Sequence, residues 1–109
     1  APFNIRVHSI QSGLFGTNFV KNGLVANTQT TSENSAYKDL VAHFVPIVAK
    51  AINEGPNPQP IADAIKNIIE DENSDIFIPV GVEAQTFVPL RKELSDKDFE
   101  QKIKDTFGI

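Results

Sequence analysis

Phe3-Asn-Ile-Arg-Val-His-Ser-Ile-Gln-Ser-Gly-Leu-Phe-Gly-Thr17 is the stretch on which the reading of this chain turns. Ile5, Val7 and Ile10 suit a pleated surface, so residues 4–10 are expected to form a buried strand. Ser12-Gly13 and Gly16 then break the strand, and Thr17 closes the segment with a hydroxyl. In α/β sheets the loops at the carboxyl ends of strands are where ligands bind. The strand opens almost at residue 1, so its sheet is expected to have lost the elements that precede it.

Working outward, residues 18–35 hold few apolar side chains beyond Phe19, Val20, Leu24 and Val25, and are expected to be a long loop. Ser35 is placed to cap a helix over residues 36–52, whose Tyr37, Leu40, Val41, Phe44, Val45, Val48 and Ile52 recur at helical spacing. Pro46 lies inside this run and should kink or split it. Gly55-Pro56-Asn57-Pro58 stops it. A second helix starts near Pro58 or Pro60, with Ile61, Ala64, Ile65, Ile68 and Ile69 as its stripe. Residues 71–75 form an acidic turn, and Ile76-Phe-Ile-Pro-Val-Gly81 reads as a second buried strand. Residues 82–94 have helical character interrupted by Pro89. Ser95 caps a last helix with Phe99, Ile103 and Phe107 on its face, and Gly108 ends it. The order predicts an α/β layer of two strands and about four helices. A sheet of two parallel strands is not independently stable and needs partners.

The chain has 109 residues, one domain at most, and a formal net charge of −4. The acidic balance, with basic residues scattered singly, argues against nucleic acid or an anionic membrane as partner. No cysteine is present, which removes disulfides, thiolate zinc sites and a thiol nucleophile and fits a reducing, cytoplasmic setting. No signal peptide and no apolar run of spanning length is visible. With no methionine, the chain is expected to start after processing or to be a fragment of something longer.

Few residues suggest chemistry directly. Gly13 and Gly16 make neither a dinucleotide fingerprint nor a P-loop. Ile10 stands where a Gly-x-Ser-x-Gly elbow needs its first glycine. Asp71-x-Asn73-x-Asp75 starts like a calcium loop, but Ile76 and Val82 occupy the positions that need Gly and Glu, so a solvated turn is expected. His8 and His43 are more simply structural than catalytic, and no metal site is expected.

The opening segment resembles the sixth strand of the short-chain dehydrogenase/reductase family, which ends in Pro-Gly-x-x-x-Thr. Here Ser12-Gly13-Leu14-Phe15-Gly16-Thr17 matches it, with Ser12 in place of the proline. Pro2-Phe3-Asn4 resembles the turn after that family's catalytic helix, and Pro60-Ile61-Ala62-Asp63-Ala64-Ile65 its Pro-x-x-Val-Ala-x-Ala-Ile helix. Residues 76–81 resemble its last strand, and residues 91–108 its C-terminal tail.

The resemblance implies that residues 1–109 are the C-terminal part of one NAD(P)-binding Rossmann domain, a doubly wound parallel sheet. Ser12, Gly13, Leu14, Phe15 and Thr17 would then contact the nicotinamide end of NAD or NADP. Residues 18–52 would form the substrate-binding loop and helices, with Phe19, Val20 and Tyr37 touching the substrate. The complete protein would be a homo-oligomeric oxidoreductase interconverting an alcohol and a carbonyl, whereas this chain alone would be inactive. The family's catalytic Tyr and Lys lie four apart on one helix. Tyr37 is followed at that spacing by Val41, so no catalytic residue is assigned here. The alternative is a non-catalytic acidic α/β binding or interaction module without cofactor. A Tyr-x-x-x-Lys helix upstream of Ala1 would separate the two.

Overall fold

The computed structural model describes residues 3–109, so the Pro2 end of the expected turn lies outside the described residues. Two strands, β1 (Ser9–Ser12) and β2 (Phe77–Val80), pair in parallel with Ser9 opposite Phe77 and Ser12 opposite Val80. Between them run α1 (Phe19–Asn22), α2 (Thr28–Thr31), α3 (Lys38–Asn53) and α4 (Gln59–Glu70). After β2 come α5 (Val82–Glu93) and α6 (Asp96–Phe107).

The register assigns the layers. Alternation along a parallel pair puts Gln11, Phe77 and Pro79 on one face and Ser12, Ile78 and Val80 on the other. Gln11, Phe77 and Pro79 line a groove with Val88, Pro89 and Lys92 of α5. Ser12 lines another with Ile61, Ala62 and Ile65 of α4. Helices therefore cover both faces of the sheet, the arrangement of part of a doubly wound Rossmann-type fold. Beside this layer, Phe107 of α6 meets Phe44 of α3 edge-on, with ring centroids 5.4 Å apart, and stacks against Phe87 of α5 at 6.4 Å. His43 Nε2 lies 3.0 Å from the carbonyl of Gly108, tying α3 to the end of α6.

The first strand sits further along the chain than the pattern predicts. Residues 4–8 are not in the sheet, because opposite them lies the 71–76 turn rather than a strand. The ladder opens only where Ser9 N–H donates to Ile76 O at 2.7 Å. Upstream of it the chain is held by side chains. Arg6 Nη1 donates to Asp71 O at 2.9 Å and to Ile68 O at 3.3 Å, placing a cation on the open carbonyl end of α4. His8 Nδ1 lies 2.8 Å from Asp75 O. The expected burial is thereby reversed: Ile5 and Val7 face solvent, 63% and 75% exposed, while His8 is half-buried.

Neither proline splits its helix. α3 runs unbroken through Pro46 and α5 through Pro89. A proline inside a helix removes one backbone bond at a cost of about 3 kcal/mol. Packing of Phe44 on Phe107 and burial of Ile52 at 6% exposure hold α3 together on either side of Pro46. Ser35 does act at the start of α3, accepting from Tyr37 N–H at 3.2 Å, but the helix begins at Lys38 rather than Ala36.

The expected long loop contains two single helical turns. Asn27 Oδ1 caps α2 by accepting from Gln29 N–H at 2.7 Å, and Thr30 Oγ1 donates to Asn27 O at 2.7 Å. Short polar side chains bond their own backbone in this way and fold a segment that hydropathy leaves blank.

The last helix follows its sequence signals. Ser95 Oγ accepts from Asp98 N–H at 3.2 Å and donates to Asp98 Oδ2 at 2.6 Å, while Gly108 takes the left-handed conformation that ends α6. Ser95→Ala is expected to lower stability by about 1 kcal/mol. Ser95→Gly should lose only a few tenths of that, because the extended Ncap backbone is kept. Urea midpoints of the two variants check this.

The core is thin. Among the described residues Phe15, Ile52, Val80 and Ala84 are the buried apolar side chains, and none is fully enclosed. The radius of gyration is 17.2 Å, against roughly 13 Å for a compact chain of this length. Phe3, Ile76 and Phe77 are exposed along with Ile5 and Val7.

Candidate functional site at the carboxyl end of the first strand

The segment after β1 is fastened on two sides. Gly13 N–H donates to Val80 O at 2.8 Å, extending the sheet ladder one residue past β1 toward the β2–α5 junction. Three residues on, Gly16 N–H donates to Pro56 O at 2.8 Å, in the turn between α3 and α4. A Cβ on Gly16 would stand 2.7 Å from Gly55 O, so two backbones cross here without room for a side chain. Between these anchors Phe15 turns inward and is 6% exposed.

The fastened segment is a wall bordering two hollows. Ser12, Gly13, Leu14, Phe15, Thr17 and Phe19 line a cavity of about 300 Å³, and Ile52 of α3 closes it. Ser12, Phe15 and Thr17 also line a second cavity of about 450 Å³, completed by the start of α4 around Gln59 and Ile61. Six of the eight residues singled out from sequence thus meet around one space. Val20 does not line it. Tyr37 lies at the start of α3, 62% exposed, and lines neither cavity.

The polar groups of the wall are partly engaged. Ser12 Oγ donates to Gly13 O at 2.9 Å. Thr17 Oγ1 accepts from Phe19 N–H at 3.3 Å, at the start of α1, and its own proton is left to donate outward. Leu14 N–H donates to Glu83 Oε2 at 3.0 Å. The Phe15 ring packs against Gly81.

Glu83 was not legible as a neighbour of this loop. It stands 69 positions away in sequence, and only the β1–β2 pairing brings it there. The histidines lie elsewhere: His8 is tied to the 71–75 turn and His43 to the end of α6. The Asp71 carboxylate is spent on Asn73 N–H at 2.9 Å, as in a solvated turn. Among the described residues no helix is long and apolar enough to cross a membrane.

Comparison with known proteins places a reductase beside this chain. Over 109 residues it is 27% identical to the 3-ketodihydrosphingosine reductase of Bacteroides thetaiotaomicron, an alignment that takes in 99% of this chain and 40% of the relative. The likeness supports shared ancestry with that reductase. The chain spans about two fifths of the relative's length. No protein-family model matches the chain, and no solved structure matches it.

Proposed function

We propose that this chain is the C-terminal part of a short-chain dehydrogenase/reductase that uses NAD or NADP to interconvert an alcohol and a carbonyl. The observation that carries this reading is the convergence of Ser12, Gly13, Leu14, Phe15, Thr17 and Phe19 on one cavity at the carboxyl end of a parallel strand. That is where doubly wound sheets bind ligands. The end-to-end likeness to a reductase supports it independently.

In this reading NAD or NADP would bring the hydride chemistry, and the chain's own residues would bind and orient it. The Thr17 hydroxyl, which accepts from Phe19 N–H, would be free to donate to the nicotinamide carboxamide. The Gly13 carbonyl, which spends one lone pair on Ser12, offers the other. Phe19 and Ile52 give the cavity an apolar side. Residues 18–52 would form the substrate lid, and of them Phe19 and Ile52 line the cavity. The catalytic tyrosine and lysine would come from sequence outside these 109 residues, in a protein that is a homo-oligomer.

In the protein expressed from the whole reading frame, Thr17→Val is expected to weaken NAD(P)H binding by about 1–3 kcal/mol, the effect of leaving a buried amide unpaired. Thr17→Ser, which keeps the hydroxyl, should bind nearly as the parent does. Titration of cofactor fluorescence measures both. Equal affinity in the parent and Thr17→Val would remove Thr17 from the site, and no affinity in the parent for either cofactor would favour an interaction module instead.

A further inference from the structure

We propose that Glu83 is the positioning residue of the loop that follows β1, its carboxylate standing in for a side chain at Gly13. The assignment rests on the reading above that this loop lines a nicotinamide pocket. Glu83 lies in the first turn of α5, where the helix dipole favours an anion and the Ncap, Gly81, brings no side chain of its own. Instead of capping its own helix, the carboxylate reaches back across the sheet edge. Its Oε2 accepts from Leu14 N–H at 3.0 Å in a half-buried setting. A Cβ on Gly13 would stand 2.5 Å from that same oxygen, so the carboxylate occupies the space a side chain there would take. With Gly13 N–H donating to Val80 O at 2.8 Å, two successive N–H groups of the loop are held by the β2–α5 junction.

Two consequences follow for recognition. Leu14 N–H is consumed inside the protein and cannot donate to a ligand, which narrows the donors on this stretch of wall toward Thr17. The loop is also held through a hydrogen bond to a charged acceptor, stronger than one between neutral groups. Its shape in the absence of cofactor therefore depends on Glu83, although Glu83 does not itself line the cavity.

The test separates the hydrogen bond from the charge and from general stability. In the whole protein, Glu83→Ala is expected to weaken NADH or NADPH binding roughly tenfold, as loss of a bond to a charged acceptor would. Glu83→Gln keeps an acceptor for Leu14 N–H and should restore cofactor affinity. Amide hydrogen exchange should quicken at Leu14 in Glu83→Ala while the amides of α6 keep their protection. A parent that binds cofactor beside a Glu83→Ala variant that binds it equally well overturns the assignment and leaves the proposed function standing. Equal weakening in Ala and Gln variants overturns the hydrogen-bonding role. Unchanged Leu14 exchange in Glu83→Ala overturns the contact itself. A parent that binds neither NADH nor NADPH overturns the proposed function and with it the ligand role of Glu83, whatever Leu14 exchange shows.

Discussion

Gly81→Ala is expected to destabilise the protein by about 2–5 kcal/mol, the sum of backbone strain and overpacking. Gly81 joins β2 to α5 with φ of 97° and ψ of 160°, a conformation open to glycine and almost closed to other residues. The new methyl would also meet the Phe15 ring, whose Cε2 and Cζ lie 2.8 and 2.9 Å from where a Cβ would stand. The two contributions can be separated. Adding Phe15→Leu to Gly81→Ala should relieve the clash but not the strain, and so recover part of the loss. Urea unfolding of the single and double variants checks this, and a Gly81→Ala midpoint equal to the parent's would show that the junction relaxes freely.

Phe15→Ala is expected to cost about 3–5 kcal/mol, the usual range for an aromatic ring taken out of a core. Phe15 is the largest of the few buried side chains, and it bears on both cavities as well as on Gly81. Phe15→Leu keeps most of the volume and should cost less than about 1.5 kcal/mol. If the change to alanine moved the unfolding midpoint no more than the change to leucine, Phe15 would not be the keystone of the wall. Both effects are large beside a typical domain stability of about 5–15 kcal/mol.

Much of this architecture was open to reading from the residues, for reasons that can be named. Ser95 with Asp98, Gly108, and the stripe from Ile61 to Ile69 are local signals, each settled within a turn or two of helix, and α6 and α4 follow them. The second strand falls inside the predicted run because Ile76–Val80 is apolar and bounded by turn residues. What misled was non-local. Ile5 and Val7 carry strand propensity, but pairing is limited by the partner, and β2 begins only at Phe77. Arg6 has nothing in its neighbouring sequence to show that it closes the end of α4, more than 60 positions downstream.

The site divides along the same line. Ser12 to Thr17 stands out as a ligand-side loop because a glycine-broken strand end and a hydroxyl residue occupy consecutive positions, whereas its match to a nicotinamide rests on the family resemblance. Tyr37 falls in the expected lid region by its place in the sequence, but it is exposed at the start of α3 and lines neither cavity. Ile52 and Glu83 reach the loop only through tertiary packing, α3 bringing one and the parallel pairing the other. The prolines are a separate lesson: Pro46 and Pro89 weaken α3 and α5 locally, and packing of the surrounding turns outweighs that loss.

The pairing of β1 with β2 also sets a clock on synthesis. His8 and Asp75, at the mouth of the ladder, are 67 positions apart, and no strand between them offers β1 an earlier match. At about 5–20 residues per second, a ribosome would leave β1 without its β2 partner for roughly 3 to 13 s. During that interval the unpaired backbone edge of β1, with Ile10 beside it, is open to other nascent chains. Slowing translation between the two strands should therefore lower the soluble yield of the protein more than an equal delay placed after Val80.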